Sequence, residues 1–341
     1  MLFYNVMEVK KILIPNKPHL DPIAAIYLLS QYGENKFSGV NDAKIIFWDE
    51  ARDPTNEEIK KFRDEGVLLI DVGGSIFNHH DTDAGRQETT TELVASYLGI
   101  DKNPELSALL AYVREDDLAG LHNRYGDLAY LIKSMYKQGM ASNEVVSSAL
   151  GILHYLQVAQ YEWHHNVKKE YEEKKKIKIV KRNKNKLKVI VIESDNLQVA
   201  NYGITQDNAS VVLQKRSSGH VMILTNKFHR IDLREIVAAI RKKELELMGY
   251  NKEIEIEKLK FEGKNMLVPN WFYHRALNSI LNGSDSLNKT EATRINFNDI
   301  VKFVLYGLST DDSELCDCHV GGDNCPYMAY GFSKCRNKTN N

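Results

Sequence analysis

No cysteine precedes Cys316 in this 341-residue chain; the four it has are Cys316, Cys318, Cys325 and Cys335. A secreted disulfide scaffold is thereby excluded as the organising principle of the body. Net charge is lacking too, with 45 basic side chains against 46 acidic ones. That balance removes any global electrostatic case for tight duplex-DNA binding and leaves only local basic patches to consider. No apolar run approaches the roughly 18–20 residues needed to span a bilayer. The opening Met1-Leu2-Phe3-Tyr4-Asn5-Val6 has neither the basic region nor the cleavage site of a signal peptide. Cytoplasm is the expected compartment, with no membrane partner. No internal repeat is present.

What is there suits a globular protein. The 43% hydrophobic fraction is enough for real cores, and 27% charged residues suit a hydrated surface. The length predicts two domains with a small appendage. Lys11-Ile12-Leu13-Ile14 reads as a buried strand, and Asp21 to Leu29 as the helix after it, with Pro22 in its first turn. Lys44 to Trp48 is a second strand. Thr55-Asn56-Glu57-Glu58 opens a helix carrying Ile59 and Phe62, and Val67 to Ile70 is a third strand. Strand, helix, strand, helix, strand predicts an α/β fold with a doubly wound, mostly parallel sheet.

From Glu92 to about Gln160 the apolar spacing turns helical. Residues 166–186, rich in lysine and glutamate, read as an exposed helix end and linker. A smaller α+β domain is expected over 187–310. Its strands are Leu187–Ile192, Ser210–Gln214 and His220–Thr225, the last two joined by a Ser217-Ser218-Gly219 turn. Asp232 caps a helix with Leu233, Ile236, Val237 and Ile240 on its apolar face. Trp271-Phe272-Tyr273-His274 is predicted to open an aromatic helix, whose rings are either core or a base-stacking platform. Asn282 to Asn298 reads as a polar loop, and Phe297 to Leu308 as another helix. Boundaries are thus 1–165, 166–186, 187–310 and a Cys-rich tail, 311–341.

Chemistry concentrates at two strand ends. Pro18-His19-Leu20-Asp21 follows the first strand, and Asp71-Val72-Gly73-Gly74 with Asn78-His79-His80 follows the third. Ligands of open α/β sheets collect at the carboxyl ends of strands. Histidine and aspartate together suit Mn²⁺, Mg²⁺ or Zn²⁺. His19 and Asp21 can face one ion, and Asp71 is placed to bridge two. His79 and His80 point oppositely if the segment is extended, one towards metal and the other towards a substrate phosphate. A further carboxylate is available from Asp116 or Asp117. Two ions held by shared carboxylates clamp a phosphoryl group and generate hydroxide at neutral pH.

These motifs resemble those of the DHH phosphoesterase superfamily, which includes RecJ-type exonucleases, oligoribonucleases and family II pyrophosphatases. The pattern is most similar to that of the melanocyte-proliferating-gene family of RNA exonucleases, which pairs an H-x-D tip with a D-V-G-G and then an H-H stretch. Residues 11–120 carry the likeness. It implies two Mn²⁺ or Mg²⁺ ions held by His19, Asp21, Asp71, His79 and one of Asp116/Asp117. Asp71 would bridge them, and His80 would contact the scissile phosphate. Two positions depart from the family pattern. Leu13-Ile14-Pro15-Asn16 lacks the usual early histidine, and Asn78 replaces the acid before the histidine pair.

The expected activity is hydrolysis of a phosphodiester or phosphoanhydride in short single-stranded nucleic acid or a phosphorylated nucleotide. In the second domain, Lys215, Arg216 and His220 around the Ser217–Gly219 turn form a candidate phosphate grip; an ordinary basic hairpin turn is the alternative. The tail offers Cys316, Cys318, Cys325 and Cys335, with His319 alongside, as a candidate structural zinc site. The alternative function is a non-catalytic nucleotide- or nucleic-acid-binding protein with a degenerate metal site. A third reading makes the tail the point, in a zinc- or redox-responsive interaction protein. Metal content discriminates among them, since two equivalents of Mn²⁺ favour the enzyme. No oligomeric state follows from the sequence.

Overall fold

Ile12, Leu13 and Ile14 are all buried, so both faces of their strand must be covered, as the unbroken apolar run implies. The computed structural model describes residues 7–80, 87–283, 290–310 and 325–333. It divides into two compact units, Met1–His164 and His165–Asn341.

The first unit enters through β1 (Met7–Glu8) and β2 (Lys11–Pro15), then α1 (Leu20–Tyr32), β3 (Phe37–Ser38) and β4 (Lys44–Trp48). It continues through α2 (Asn56–Asp64), β5 (Val67–Leu69), α3 (Thr90–Leu98), α4 (Ser107–Ala119), α5 (Leu128–Lys137) and α6 (Ser142–Tyr161). β2 lies between β4 and β5 and is parallel to both, with Ile12 opposite Ile45 and Leu68. Alternate residues feed opposite faces. Ile12, Ile14, Leu68 and Ile70 join the buried apolar face of α1, together with Val94, Val113 and Val146. Leu13, Val67 and Leu69 pack on the other side against Ile59 and Phe62 of α2. Thr55 starts α2 through the capping box its sequence predicts: its side chain accepts from Glu58 N, and Glu58 reaches back to Thr55 N. The short parallel pair of β1 with β3 has no counterpart in the sequence reading.

The second unit holds α7 (Lys168–Lys174), β6 (Lys176–Arg182), β7 (Asn185–Glu193), α8 (Gln198–Thr205), β8 (Val211–Lys215) and β9 (Val221–Thr225). It ends with α9 (Arg234–Leu247), α10 (Ile256–Leu259), β10 (Gly263–Asn265), β11 (Val268–His274), β12 (Ser279–Leu281) and α11 (Phe297–Leu308). The strands form one mixed seven-stranded sheet in the order β10-β11-β12-β9-β8-β7-β6. Only β7 and β8 run parallel. Val189, Val191, Val211, Leu213 and Ile223 face α9 and α11, and Trp271 joins that core.

The α/β class matches the sequence reading, but two details are corrected. Residues 166–186 are no linker: they supply α7 and the whole of β6, which pairs with β7 from Lys176 opposite Val191 to Arg182 opposite Asn185. Trp271 to His274 belong to strand β11, not to a helix. Trp271 is fully buried and donates through Nε1 to Glu244 Oε2 at 2.9 Å, so it is not a base-stacking platform. Among the described residues no helix is long and apolar enough to cross a membrane.

Candidate metal centre

The carboxyl end of β2 delivers His19 and Asp21 within one turn. His19 occupies the extended position before α1, and Asp21 sits in the helix's first turn, buried. Its two oxygens are already engaged at the start of another helix. Thr90 N donates to Oδ2 and Thr91 N to Oδ1, both at 2.8 Å, and Thr91 Oγ1 donates to the Asp21 carbonyl at 2.8 Å. Thr89 and Glu92 close a capping box at the same end. Asp21 thus ties α1 to the positive end of α3 while each oxygen keeps a lone pair for another partner.

The carboxyl end of β5 turns sharply. Asp71 has φ +56°, a left-handed conformation that aspartate tolerates better than most residues. Its N–H donates to Phe77 O at 3.0 Å, and Thr90 Oγ1 donates to its Oδ1 at 3.1 Å. Both glycines are crowded by neighbouring side chains, and Gly74 also takes a left-handed conformation. A Cβ on Gly73 would lie 2.4 Å from Asp53 Cγ, and one on Gly74, at φ +76°, would lie 2.3 Å from Ile59 Cδ1. Gly74→Ala is therefore expected to cost about 1–2 kcal/mol, mainly left-handed strain, since the end of Ile59 can move aside. Chemical denaturation will show it, and a loss below about 1 kcal/mol would contradict this account of the corner.

Histidines and a third carboxylate close the cluster. His79 is buried, with Nε2 3.7 Å from Asp71 Oδ1, 3.7 Å from Asp117 Oδ2 and 4.0 Å from Asp21 Oδ2. His80 Nε2 lies 3.6 Å from Asp71 Oδ1, and its side chain is 62% exposed. His19 Nε2 is 2.9 Å from Asp117 Oδ1. Two sets of donor atoms result, Asp71 with His79 and His80, and His19 with Asp21 and Asp117, each set lying within 4.8 Å. Both ring nitrogens of His79 and Oδ2 of Asp117 are buried without a hydrogen-bond partner. Buried polar atoms left this way are costly unless a ligand completes them. Three carboxylates and three imidazoles meeting around unsatisfied donor atoms fit divalent cations.

The electrostatics agree with that fit. Burial, reinforced by the Asp21 charge, pushes the Asp71 carboxyl up to about 6. Burial also raises Asp21, against the hydrogen bonds from Thr91. Burial works in the same direction on Asp117, but the His19 hydrogen bond and the neighbouring imidazoles overcome it and hold Asp117 below its ordinary value. His19 moves up: burial opposes its charge, while Asp117, Asp21 and Asp71 together favour it. The pocket is short of positive charge, which is what a bound cation would supply.

Two expectations change here. His79 and His80 do not point oppositely; their ring centroids are 3.8 Å apart and both approach Asp71. Asn78 is the reason, since its Oδ1 accepts from His80 N at 3.2 Å and bends the segment out of an extended path. Of the two candidate aspartates on α4, Asp117 joins the cluster, whereas Asp116 has Oδ1 3.9 Å from Lys133 Nζ and belongs to neither donor set. Thr90 and Thr91, which hold both key aspartates, were missed. The signal was present, because Thr89-x-x-Glu92 repeats the capping pattern of Thr55-x-x-Glu58.

The remaining candidates lie in the second unit. Lys215 Nζ is 3.3 Å from Glu193 Oε2, and Arg216 Nε is 3.9 Å from Asp195 Oδ1. His220 uses both ring nitrogens, with Ser218 Oγ and Thr290 O each at 2.9 Å. All three are engaged within their own unit. Of the tail residues, Cys325 is buried with Sγ 3.3 Å from Tyr306 Oη. Cys316, Cys318, His319 and Cys335 lie outside the described residues.

No protein-family profile matches the chain. No curated protein matches it either. Among solved structures, the chain is similar to an uncharacterized protein from Helicobacter pylori G27, at 11% identity over 87% of this chain and 98% of that one, with a TM-score of 0.24.

Proposed function

We propose that the protein is a metal-dependent phosphoesterase of the DHH type, with a doubly wound first domain of that superfamily, acting on short single-stranded nucleic acid or a phosphorylated nucleotide. The observation that carries this reading is the convergence of His19, Asp21, Asp71, His79, His80 and Asp117 around buried nitrogen and oxygen atoms that lack partners. His19, Asp21 and Asp117 would hold one cation; His79 would hold another, with Asp71 shared between the two. Mn²⁺ suits this mixture of imidazole and carboxylate, with Mg²⁺ as the alternative. Bound ions would supply Lewis-acid polarisation of a phosphoryl oxygen and a water acidified for attack on phosphorus.

The chain's own residues do the positioning. Thr90 and Thr91 hold Asp71 and Asp21 through hydrogen bonds that still leave carboxylate lone pairs for a cation. His80 is the exposed member of the cluster, and its ring N–H is the group that would donate to a phosphoryl oxygen. The test is direct. Metal-stripped protein, reloaded with Mn²⁺, is offered labelled RNA and DNA oligonucleotides, cyclic dinucleotides and pyrophosphate. Two equivalents of Mn²⁺ and release of a phosphorylated product are expected. Absence of turnover on every substrate, with no Mn²⁺ retained, would overturn the proposal.

A further inference from the structure

We propose that the second unit carries a nucleotide-binding pocket between the ends of β9 and β11, recognising a phosphate together with a planar ring. The inference does not rest on the metal-site reading. A cavity of about 850 Å³ opens there, lined by Lys227, Phe228, Arg230, Arg234 and Arg275, with Leu277 and Tyr273 among its apolar walls. That volume lies in the ordinary range for small-ligand pockets.

Charge selects the ligand. Arg234 is matched by Asp232, whose Oδ2 accepts from Nη2 at 2.6 Å. Arg230, Arg275 and Lys227 have no carboxylate partner among the described residues. Three unneutralised cations around one cavity favour an anion, and two guanidinium groups suit phosphate in particular. Phe228 adds the second specificity: its ring is 80% exposed and lines the same cavity, with Lys227 Nζ 5.1 Å from the centroid. An exposed phenyl ring beside phosphate-binding cations is the combination that holds a stacked base.

The floor beneath is rigid. Asn278, at φ +47°, donates to Thr225 Oγ1 at 2.9 Å and to Ile231 O at 2.6 Å. Asn226 donates to Asn208 Oδ1 at 3.1 Å and accepts from Phe228 N at 3.1 Å. Arg230 itself sits at φ +48°, a strained conformation for arginine. The polar floor is satisfied internally while the cationic rim is not, so the rim is the part available to a ligand. This pocket differs from the grip expected at Lys215, Arg216 and His220. β8 and β9 are antiparallel, with Val211 opposite Thr225 and Lys215 opposite Val221. The pocket includes Thr225 at one end of that ladder, and the turn closes the other.

Calorimetric titration of the full chain in excess EDTA keeps divalent cations out of the measurement. The probes are adenosine 5′-monophosphate, adenosine, inorganic phosphate and a short oligoadenylate. AMP is expected to bind more tightly than adenosine or phosphate alone. The double change Arg230→Ala with Arg275→Ala should weaken AMP at least about tenfold. Phe228→Ala should weaken AMP while leaving phosphate unchanged. All three positions are exposed, so the fold should survive, as circular dichroism will confirm. If the oligoadenylate binds more tightly than AMP and is lost in the same variants, the pocket's source of phosphate is a nucleic-acid strand; equal affinities identify a free nucleotide. No AMP binding at millimolar concentration, or affinity indifferent to both sets of changes, overturns the proposal. Its failure would leave the metal-site reading untouched, because hydrolysis is assayed separately with Mn²⁺.

Discussion

If the protein is the metal-dependent phosphoesterase proposed above, Asp71→Asn is expected to lower hydrolysis by roughly a thousandfold, corresponding to several kcal/mol of lost cation-dependent stabilisation, and to reduce the Mn²⁺ retained. The same change should stabilise the metal-free protein by about 1–2 kcal/mol. The two effects have one cause. Without a cation, Asp71 is a buried carboxylate close to Asp21, and burial with that charge holds its carboxyl up to about 6. Asparagine removes the charge but keeps an oxygen to accept from Thr90 Oγ1. It also tolerates φ +56°, which alanine does less well. Asparagine therefore separates loss of function from loss of fold. Metal content, turnover and denaturation in chelator are the three measurements. Near-normal turnover by a folded Asp71→Asn protein would remove Asp71 from the mechanism.

The second large effect is structural. Arg241→Leu should destabilise the second unit by about 3–5 kcal/mol, the usual cost of stripping a buried charge network of its centre. Arg241 is fully buried on α9 and has no carboxylate partner among the described residues. Its guanidinium instead donates to four carbonyls: Leu259 and Phe261 through Nη1 at 2.9 and 2.8 Å, and Gly263 and Trp271 through Nη2 at 2.6 and 3.0 Å. Burial lowers its pKa only to about 10, so the charge persists at neutral pH. Glu244, one turn on, completes the arrangement by accepting from Trp271 Nε1, Thr293 Oγ1 and Arg294 N. Leucine keeps an apolar stem but leaves the guanidinium's space empty and the four carbonyls without those donors. Arg241→Lys should recover only part of the loss, because one ammonium cannot span a planar fork's partners. Denaturant unfolding followed by tryptophan fluorescence checks both, and a loss below about 1 kcal/mol for leucine would refute the account.

Much of the first unit was legible because its signals are short and local. An apolar run ending in His-x-Asp, and another ending in Asp-Val-Gly-Gly, locate two strand tips without any long-range information. What escaped depended on packing or on competing signals. β6 was hidden because seven residues with Ile177, Ile179 and Val180 in alternation with lysine look, by composition, like a solvated connector. β11 was misread because aromatic residues serve strand and helix alike, and Val268 to His274 alternates only weakly. The choice between Asp116 and Asp117 could not be made locally. Successive helical residues differ by about 100° in direction, and only the packing of α4 decides which faces the cluster. The histidine pair failed for a smaller reason, the Asn78 turn.

β6 has a further consequence for how the molecule behaves in concentrated solution. Among the described residues it is the last strand of its sheet and carries Ile177 and Ile179 exposed, with Thr310 N donating to Lys181 O at 3.4 Å near its far end. Such a margin is a template for pairing with another chain. Lys176, Lys178 and Lys181 share that strand, so two copies approaching edge to edge must bring like charges together. Lysines spaced along an exposed margin oppose such pairing by charge repulsion, and neutralising them by acetylation is expected to weaken that repulsion.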